Sequence, residues 1–242
     1  ISAGCSFVSI LFPTDSFQKQ AVGILDDGCG LSAEELFEAM CYGSASAEAT
    51  RSESDLGRFG LGLKAASLSQ CRILTVVSMQ DGNICAYSWD YNYILKHKKW
   101  YVKVLTDEDI ANLPYIENLK ETGEQKGSAT LVIWEDFDIL AKSSNGQVFS
   151  TLREISNKVQ EHISLIFHRY ISSKKFTMWV NNAKVQAQDP FLEYPGSKTT
   201  VKKVRTVALR DSQGVERLIE VQPFVLPFAT DLTEKDKKLL GG

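Results

Sequence analysis

Ala21-Val22-Gly23-Ile24-Leu25-Asp26-Asp27-Gly28-Cys29-Gly30 and, further on, Gly57-Arg58-Phe59-Gly60-Leu61-Gly62-Leu63-Lys64 are the two segments whose joint reading decides the fold. The first is an apolar run that ends in D-x-G-x-G. A carboxylate at the end of a buried strand is a hydrogen-bond acceptor, and Asp26 so placed can take the exocyclic amine of an adenine ring. Gly28 and Gly30 let the backbone after it turn sharply and come close to a flat ring. The second segment is G-x-x-G-x-G running into the helix-like Leu63 to Leu68. Consecutive backbone N–H groups at a helix start hold anions, so phosphate is the natural guest there. Together the two segments read as one ATP site.

Either half alone has a plainer meaning. An Asp-Gly pair after an apolar run also marks a hairpin turn, and Gly57 to Gly62 by itself is equally a flexible loop. Their order, their separation by a helix and a polar stretch, and the apolar residues around both favour the joint reading. Commoner phosphate loops do not fit. A P-loop needs Gly-Lys-Ser/Thr, whereas Leu63 stands between Gly62 and Lys64 and Ala65 follows. The dinucleotide fingerprint G-x-G-x-x-G has the opposite spacing.

With 242 residues and 43% hydrophobic composition, the chain can bury one substantial core or two modest ones, and two are expected. Net charge is −3 from 27 basic and 30 acidic residues, which gives no global electrostatic reason for nucleic acid or anionic lipid as partner. Two local clusters, Lys198, Lys202, Lys203 with Arg205 and Lys235, Lys237 with Lys238, read first as solvated faces. Cys5, Cys29, Cys41, Cys71 and Cys85 are odd in number, sit among apolar neighbours and lack C-x-x-C spacing, so they are expected as buried thiols of a reducing, cytoplasmic compartment. No stretch has membrane-spanning length and the first residues do not have a signal-peptide pattern, so no membrane partner is expected. His97, His162 and His168 show no paired ligand spacing, and a protein-built zinc site is not expected.

Along the chain, Cys5 to Phe12 and Ala21 to Leu25 read as strands. Ser32-Ala33-Glu34-Glu35 is a capping box that starts a helix with Leu36, Phe37, Met40 and Cys41 on its apolar side. Gly43 to Asp55 is small and polar, the composition of a mobile lid. Lys64 to Gln70 reads as helix, and Ile73 to Ser78, Ile84 to Trp89, Trp100 to Leu105 and Thr130 to Trp134 read as strands. Thr106 with Asp109 marks a short helix, Thr151 opens a long one reaching about Tyr170, and Phe176 to Val185 is a hairpin about Asn181-Asn182. Pro190, Pro195 and Gly196 suggest a boundary, after which Thr200 to Leu209 and Arg217 to Val225 flank a turn at Asp211 to Gly214 as the opening of a second sheet.

On its two glycine segments, the sequence resembles the GHKL ATPases, the gyrase-type, MutL-type, MORC-type and heat-shock chaperone ATPases together with the sensor histidine kinases. The resemblance runs over about Ile1 to Val185. Gly-Arg-Phe-Gly-x-Gly-Leu-Lys and the acidic stretch Trp134-Glu135-Asp136 are most similar to prokaryotic MORC-like and MutL-like members. The resemblance implies a two-layer α/β sandwich of the Bergerat type over residues 1–190, with helices on one face of a mixed sheet. The beginning of a transducer-like α+β domain would follow over 191–242, apparently incomplete. It implies ATP and magnesium, an ATP-dependent homodimer, and DNA as a possible partner. Asp26 would read adenine, Gly28 and Gly30 would shape the pocket wall, and Leu31 would pack on the base. Gly57, Phe59, Gly60, Leu61 and Gly62 with Lys64 would hold the phosphates beneath a lid over Ser44 to Asp55. Thr130 would support Asp26 and a bound water, although Ala129 stands where the family has glycine.

The family's first motif, a helix with a glutamate base and a magnesium-binding asparagine, is expected before Ile1, so no catalytic residue is assigned within the chain and no metal ligand either. The resemblance implies a clamp whose lid closure and dimerisation follow ATP. A nucleotide sensor without turnover, a chaperone-like ATPase and a histidine kinase catalytic domain are the alternatives.

Overall fold

The computed structural model describes residues 3–41, 62–174, 176–210 and 214–240. In chain order, β1 (Phe7–Leu11), β2 (Ala21–Asp26), α1 (Ala33–Met40), α2 (Gly62–Leu68), β3 (Ile73–Gln80), β4 (Asn83–Asp90), α3 (Tyr91–His97), β5 (Lys103–Val104), α4 (Asp107–Ala111) and α5 (Ile116–Lys126) come first. They are followed by β6 (Ser128–Glu135), α6 (Asp138–Ser143), α7 (Val148–Ile166), α8 (His168–Ser172), β7 (Thr177–Val180) and β8 (Ala183–Lys184). The tail adds β9 (Thr200–Val201), β10 (Arg205–Arg210), β11 (Glu216–Val221), β12 (Phe224–Val225) and α9 (Glu234–Leu239).

The strands β1 to β8 form one eight-stranded sheet in the order β5-β4-β3-β6-β2-β1-β7-β8. Only the β1–β7 pair is parallel; every other neighbour is antiparallel, so the sheet is mixed. Side chains alternate between faces along a strand. On β6, Ala129, Leu131 and Ile133 go to one face, while Val132 and Trp134 go to the other.

Two hydrophobic cores result, one on each face of this single sheet. The larger joins Val22, Leu74, Val76 and Trp89 of the sheet to Leu36 and Met40 of α1, Ile94 of α3 and Leu152 and Ile163 of α7. The smaller joins Leu11, Leu25, Val77, Leu131 and Ile133 to Ile110 of α4 and Ile116 and Leu119 of α5. The expectation of helices on a single face therefore holds for the larger set only, since α4 and α5 cover part of the other face.

Local chemistry sets several boundaries. Ser32 and Glu35 close the anticipated capping box, Glu35 N–H to Ser32 Oγ at 3.3 Å and Ser32 N–H to Glu35 Oε2 at 2.8 Å. Thr106 and Asp109 do the same for α4. On α1, Leu36 and Met40 are buried, but Phe37 is half exposed and leans on the Tyr87 ring at 5.8 Å. The long helix starts at Val148 rather than Thr151 and breaks after Ile166 before the short α8.

Three expectations need correction. The strand read over Trp100 to Leu105 shrinks to the two edge residues of β5, because Trp100 instead packs on Trp89 at 5.5 Å. Helices α3, α5, α6 and α9 went unread. Helix α3 begins at the very end of β4, where Asp90 caps Tyr93 N–H at 3.1 Å, and α5 buries little beyond Ile116 and Leu119. The cysteines are not uniformly buried: Cys71 is, Cys29 is exposed, and Cys5, Cys41 and Cys85 lie between.

In the tail, each long strand that was anticipated is split. The inner pieces pair as β10–β11 and the outer pieces as β9–β12. Pro223 has no N–H to continue a ladder, and its carbonyl instead accepts Lys202 N–H at 3.0 Å. Phe191 stacks on Phe224 at 4.3 Å, and Tyr194 Oη donates to Asp236 Oδ2 at 2.9 Å. Among the described residues, no helix is long and apolar enough to cross a membrane.

Leu119 is fully buried under the second face. Leu119→Ala should lower unfolding free energy by about 2–5 kcal/mol, measured as a reduced midpoint in urea at unchanged slope.

Candidate functional site

Strand β2 ends in two adjacent carboxylates that the fold treats oppositely. Asp27 is consumed locally. Its Oδ1 accepts Ser6 N–H at 2.7 Å and Phe7 N–H at 2.8 Å, the Ser6 hydroxyl donates to Oδ2, and Lys126 Nζ lies 3.6 Å away. Burial pushes its pKa up, but the Ser6 and Phe7 hydrogen bonds and Lys126 outweigh that and hold it below the usual carboxylate range. Asp27 is thus the latch between the end of β2 and the start of β1.

Asp26 turns to the opposite face. Its Oδ1 accepts Gly28 N–H at 2.9 Å. Burial raises its pKa and that single bond only partly offsets the effect. Among the described residues no lysine or arginine forms an ion pair with it, and Oδ2 accepts no protein hydrogen bond there. A half-buried carboxylate with acceptor capacity to spare is what a base amine requires.

Strand pairing lines up the rest. Asp26 is the register partner of Thr130 on β6, and Thr130 is the register partner of Ser78 on β3. By the two-residue period all three share the face of the larger core, two positions beyond Ile24, Val132 and Val76. Ser78 Oγ lies 3.4 Å from Thr130 Oγ1 and accepts Leu31 N–H at 2.8 Å.

The loop from Gly28 to Leu31 is tied along its length. Ser128 Oγ donates to Gly28 O at 2.6 Å, Gln80 Nε2 to Cys29 O at 3.3 Å, and Cys29 N–H to Ala3 O at 3.0 Å. The Cys85 thiol lies 3.7 Å from Leu31 O. Gly30 has φ +67°, and a Cβ there would collide with the Met79 carbonyl oxygen. At Gly28 a Cβ would come within 2.7 Å of both Asp26 Oδ1 and Ala3 Cβ. Both glycines are therefore demanded by close approach, and Gly30 also by its backbone conformation.

Of the second glycine segment, Gly57, Phe59, Gly60 and Leu61 lie outside the described residues, as does the stretch read as a lid. Gly62 opens α2 and is exposed. Lys64 is 2% exposed and its Nζ donates to the Cys41 carbonyl just beyond α1, with burial lowering its pKa. In this geometry Lys64 ties α2 to the end of α1, and reaching a phosphate would require releasing Cys41. Trp134 Nε1 donates to Ser67 Oγ at 2.8 Å and seats α2 on β6, on the face that carries Thr130.

The structure thus brings Asp26, Gly28, Gly30, Leu31 and Thr130 to one end of the sheet, with α1 leading away from them. Sequence reasoning missed Ser78 and Ser128. A lone serine within Ile73-Leu74-Thr75-Val76-Val77-Ser78 was the available signal, because a buried hydroxyl in an apolar strand needs a partner. Among the described residues, no group of three or more His, Cys, Asp or Glu side chains is arranged to hold a metal.

The sheet is mixed, and its second strand ends in an acceptor carboxylate followed by a close-packed glycine loop. A family profile described as histidine kinase-, DNA gyrase B- and HSP90-like ATPase matches residues 1–128 of the 242, and the chain belongs to that family. No curated protein matches the sequence. Among solved structures, the ATPase and transducer domains of DNA topoisomerase II from Balamuthia mandrillaris align with TM-score 0.44 and 13% identity, over 83% of this chain and 48% of that one. The topoisomerase IV ATP-binding domain of Francisella tularensis aligns with TM-score 0.33 and 13% identity, over 73% and 40%. The chain spans less than half the length of either structure.

The opposite shifts of the two carboxylates make a paired prediction. Asp27, with a depressed folded pKa, stabilises the fold above its unfolded value of about 4, and this is lost as pH falls through the folded value. Asp26, with a raised folded pKa, opposes folding once ionised. Urea titrations between pH 3 and 8 should show Asp27→Asn destabilised at pH 7, with the deficit closing toward pH 3. Asp26→Asn should be at least as stable as the wild type at pH 7.

Proposed function

We propose that the chain is the ATP-binding domain of a MORC-like or MutL-like ATPase, in which ATP closes a lid, joins two protomers and so works a molecular clamp. The observation that carries this reading is the division of labour at the end of β2. Asp27 is spent on Ser6 and Phe7, while Asp26 keeps acceptor capacity opposite Thr130. In this proposal Asp26 accepts the adenine amine, Gly28 and Gly30 form the wall beside the ring, Leu31 packs on the base, and Thr130 completes the polar edge. The segment Gly57, Phe59, Gly60, Leu61 and Gly62, with Lys64, holds the phosphates.

Magnesium would be carried mainly by phosphate oxygens and water, the arrangement this small cation prefers. The described residues offer no cage for it. Hydrolysis is attack of water on the γ-phosphorus with release of ADP and phosphate, a transfer in which positioning and electrostatic stabilisation do most of the catalysis. This chain's residues bind and orient the nucleotide; no general base is assigned among them. The free thiols support a reducing, cytoplasmic setting. Residues 1–190 form the nucleotide domain in this reading, and 191–242 open a transducer-like domain.

DNA is the proposed object of the clamp. Lys202, Lys203 and Arg205 are exposed on the tail, whereas Lys198 is engaged by Asp231 at 2.5 Å.

Losing a buried charge-assisted hydrogen bond costs on the order of 1.5–3 kcal/mol, about tenfold to more than a hundredfold in affinity. Titration calorimetry should show ATP binding by the wild type and loss of measurable binding in Asp26→Ala with an intact thermal transition; unchanged affinity in the folded variant rejects the adenine role. Binding without turnover would instead leave a nucleotide sensor.

For the clamp, duplex binding with a nonhydrolysable ATP analogue should weaken steeply with salt, and Lys202→Glu with Lys203→Glu should make that dependence shallower by about two phosphate contacts. An absence of duplex binding at low salt would favour a protein client.

A further inference from the structure

Ser78 is fully buried on β3, and its hydroxyl lies between Leu31 and Thr130 of the candidate adenine site. It accepts Leu31 N–H at 2.8 Å and lies 3.4 Å from both Thr130 Oγ1 and the Ala129 carbonyl oxygen. A serine hydroxyl has one hydrogen to give and two lone pairs. If that hydrogen goes to Ala129, Ser78 offers Thr130 only a lone pair, and the Thr130 hydrogen can turn inward, away from the pocket. If it goes to Thr130, the Thr130 hydrogen is released outward. The Asp26 carboxylate, the register partner across the strand pair, is an acceptor and favours an outward Thr130 hydrogen, which can turn to a base once the amine of that base occupies the carboxylate.

We propose that Ser78 is a positioning residue for adenine recognition. By donating to Thr130 while holding Leu31, it makes Thr130 an outward donor beside the acceptor Asp26. Adenine presents an amine donor next to the N1 acceptor, and an acceptor–donor pair matches that edge, directly or through one water. Guanine presents the reverse order, a carbonyl acceptor beside an N1 donor. One buried hydroxyl thus sets both the polar edge and the apolar floor of the pocket. The inference rests on the ATP reading above.

Ser128 provides the contrast. It ties the same loop through Gly28 O at 2.6 Å, but bonds neither Leu31 nor Thr130 in the described structure.

The test compares ATP with 1-deaza-ATP, in which a C–H replaces N1, by calorimetry on the wild type, Ser78→Ala and Ser128→Ala. The wild type should prefer ATP by about tenfold, the size of one lost buried hydrogen bond. Ser78→Ala should lower that preference, because the Thr130 hydroxyl loses the donor that orients it, whereas Ser128→Ala should weaken both nucleotides and keep the preference. A wild-type preference retained in Ser78→Ala overturns the inference and leaves Ser78 as scaffold. ATP binding by the wild type with no preference over 1-deaza-ATP overturns it as well, while the nucleotide reading stands. No ATP binding by the wild type overturns both. If Ser78→Ala lacks a cooperative thermal transition, Ser78→Cys takes its place with the same expectation, since a thiol is a poor donor and acceptor of similar size.

Discussion

The antiparallel register of β6 between β2 and β3 is the constraint on which the rest depends. It sets Asp26 against Thr130 and Thr130 against Ser78, and it puts all three on the face of the larger core. A slip of one residue would turn each strand over. Leu131 and Ile133 would then face the helices α1 and α7, and Thr130 would lie beneath α5. The apolar alternation that fills both cores is therefore what holds the polar line in place. Burial on two faces makes that register expensive to change.

Around this line, buried polar groups are either satisfied or held ready. Asp27 accepts two backbone N–H groups and a hydroxyl, and the backbone from Gly28 to Leu31 is met by Ser128, Gln80, Ala3 and Ser78. A rigid loop loses little entropy when a ring stacks against it, which is the physical value of preorganisation. Asp26 is the exception, a half-buried carboxylate with a raised pKa and acceptor capacity unused among the described residues. Raised pKa values of this origin gather at functional sites.

The tail follows other rules. By register, Val207, Leu209, Ile219 and Val221 fall on one side of the β10–β11 hairpin, and all are exposed among the described residues. The hairpin is held as an element by its ladder, whereas Phe191 on Phe224 and Tyr194 on Asp236 join the flanking chain to α9 and β12. Its composition is that of a strand pair with one apolar side, and its pairing was legible from the turn residues between the two runs.

The sequence by itself determined the strands with strong alternation, the capped helices α1 and α4 and the D-x-G-x-G loop, because each rests on short-range chemistry. Two glycine segments also pointed to the broad ATPase family, and the match over residues 1–128 bears out that family. Only the tertiary structure decided which of two neighbouring aspartates is occupied, since Ser6 lies 21 residues from Asp27 and Thr130 more than a hundred from Asp26. It also decided that α5, polar over most of its length, caps a second face through Ile116 and Leu119, and that Lys64 meets Cys41. Such contacts depend on what packing brings together at long separation, and neither propensity nor spacing encodes them.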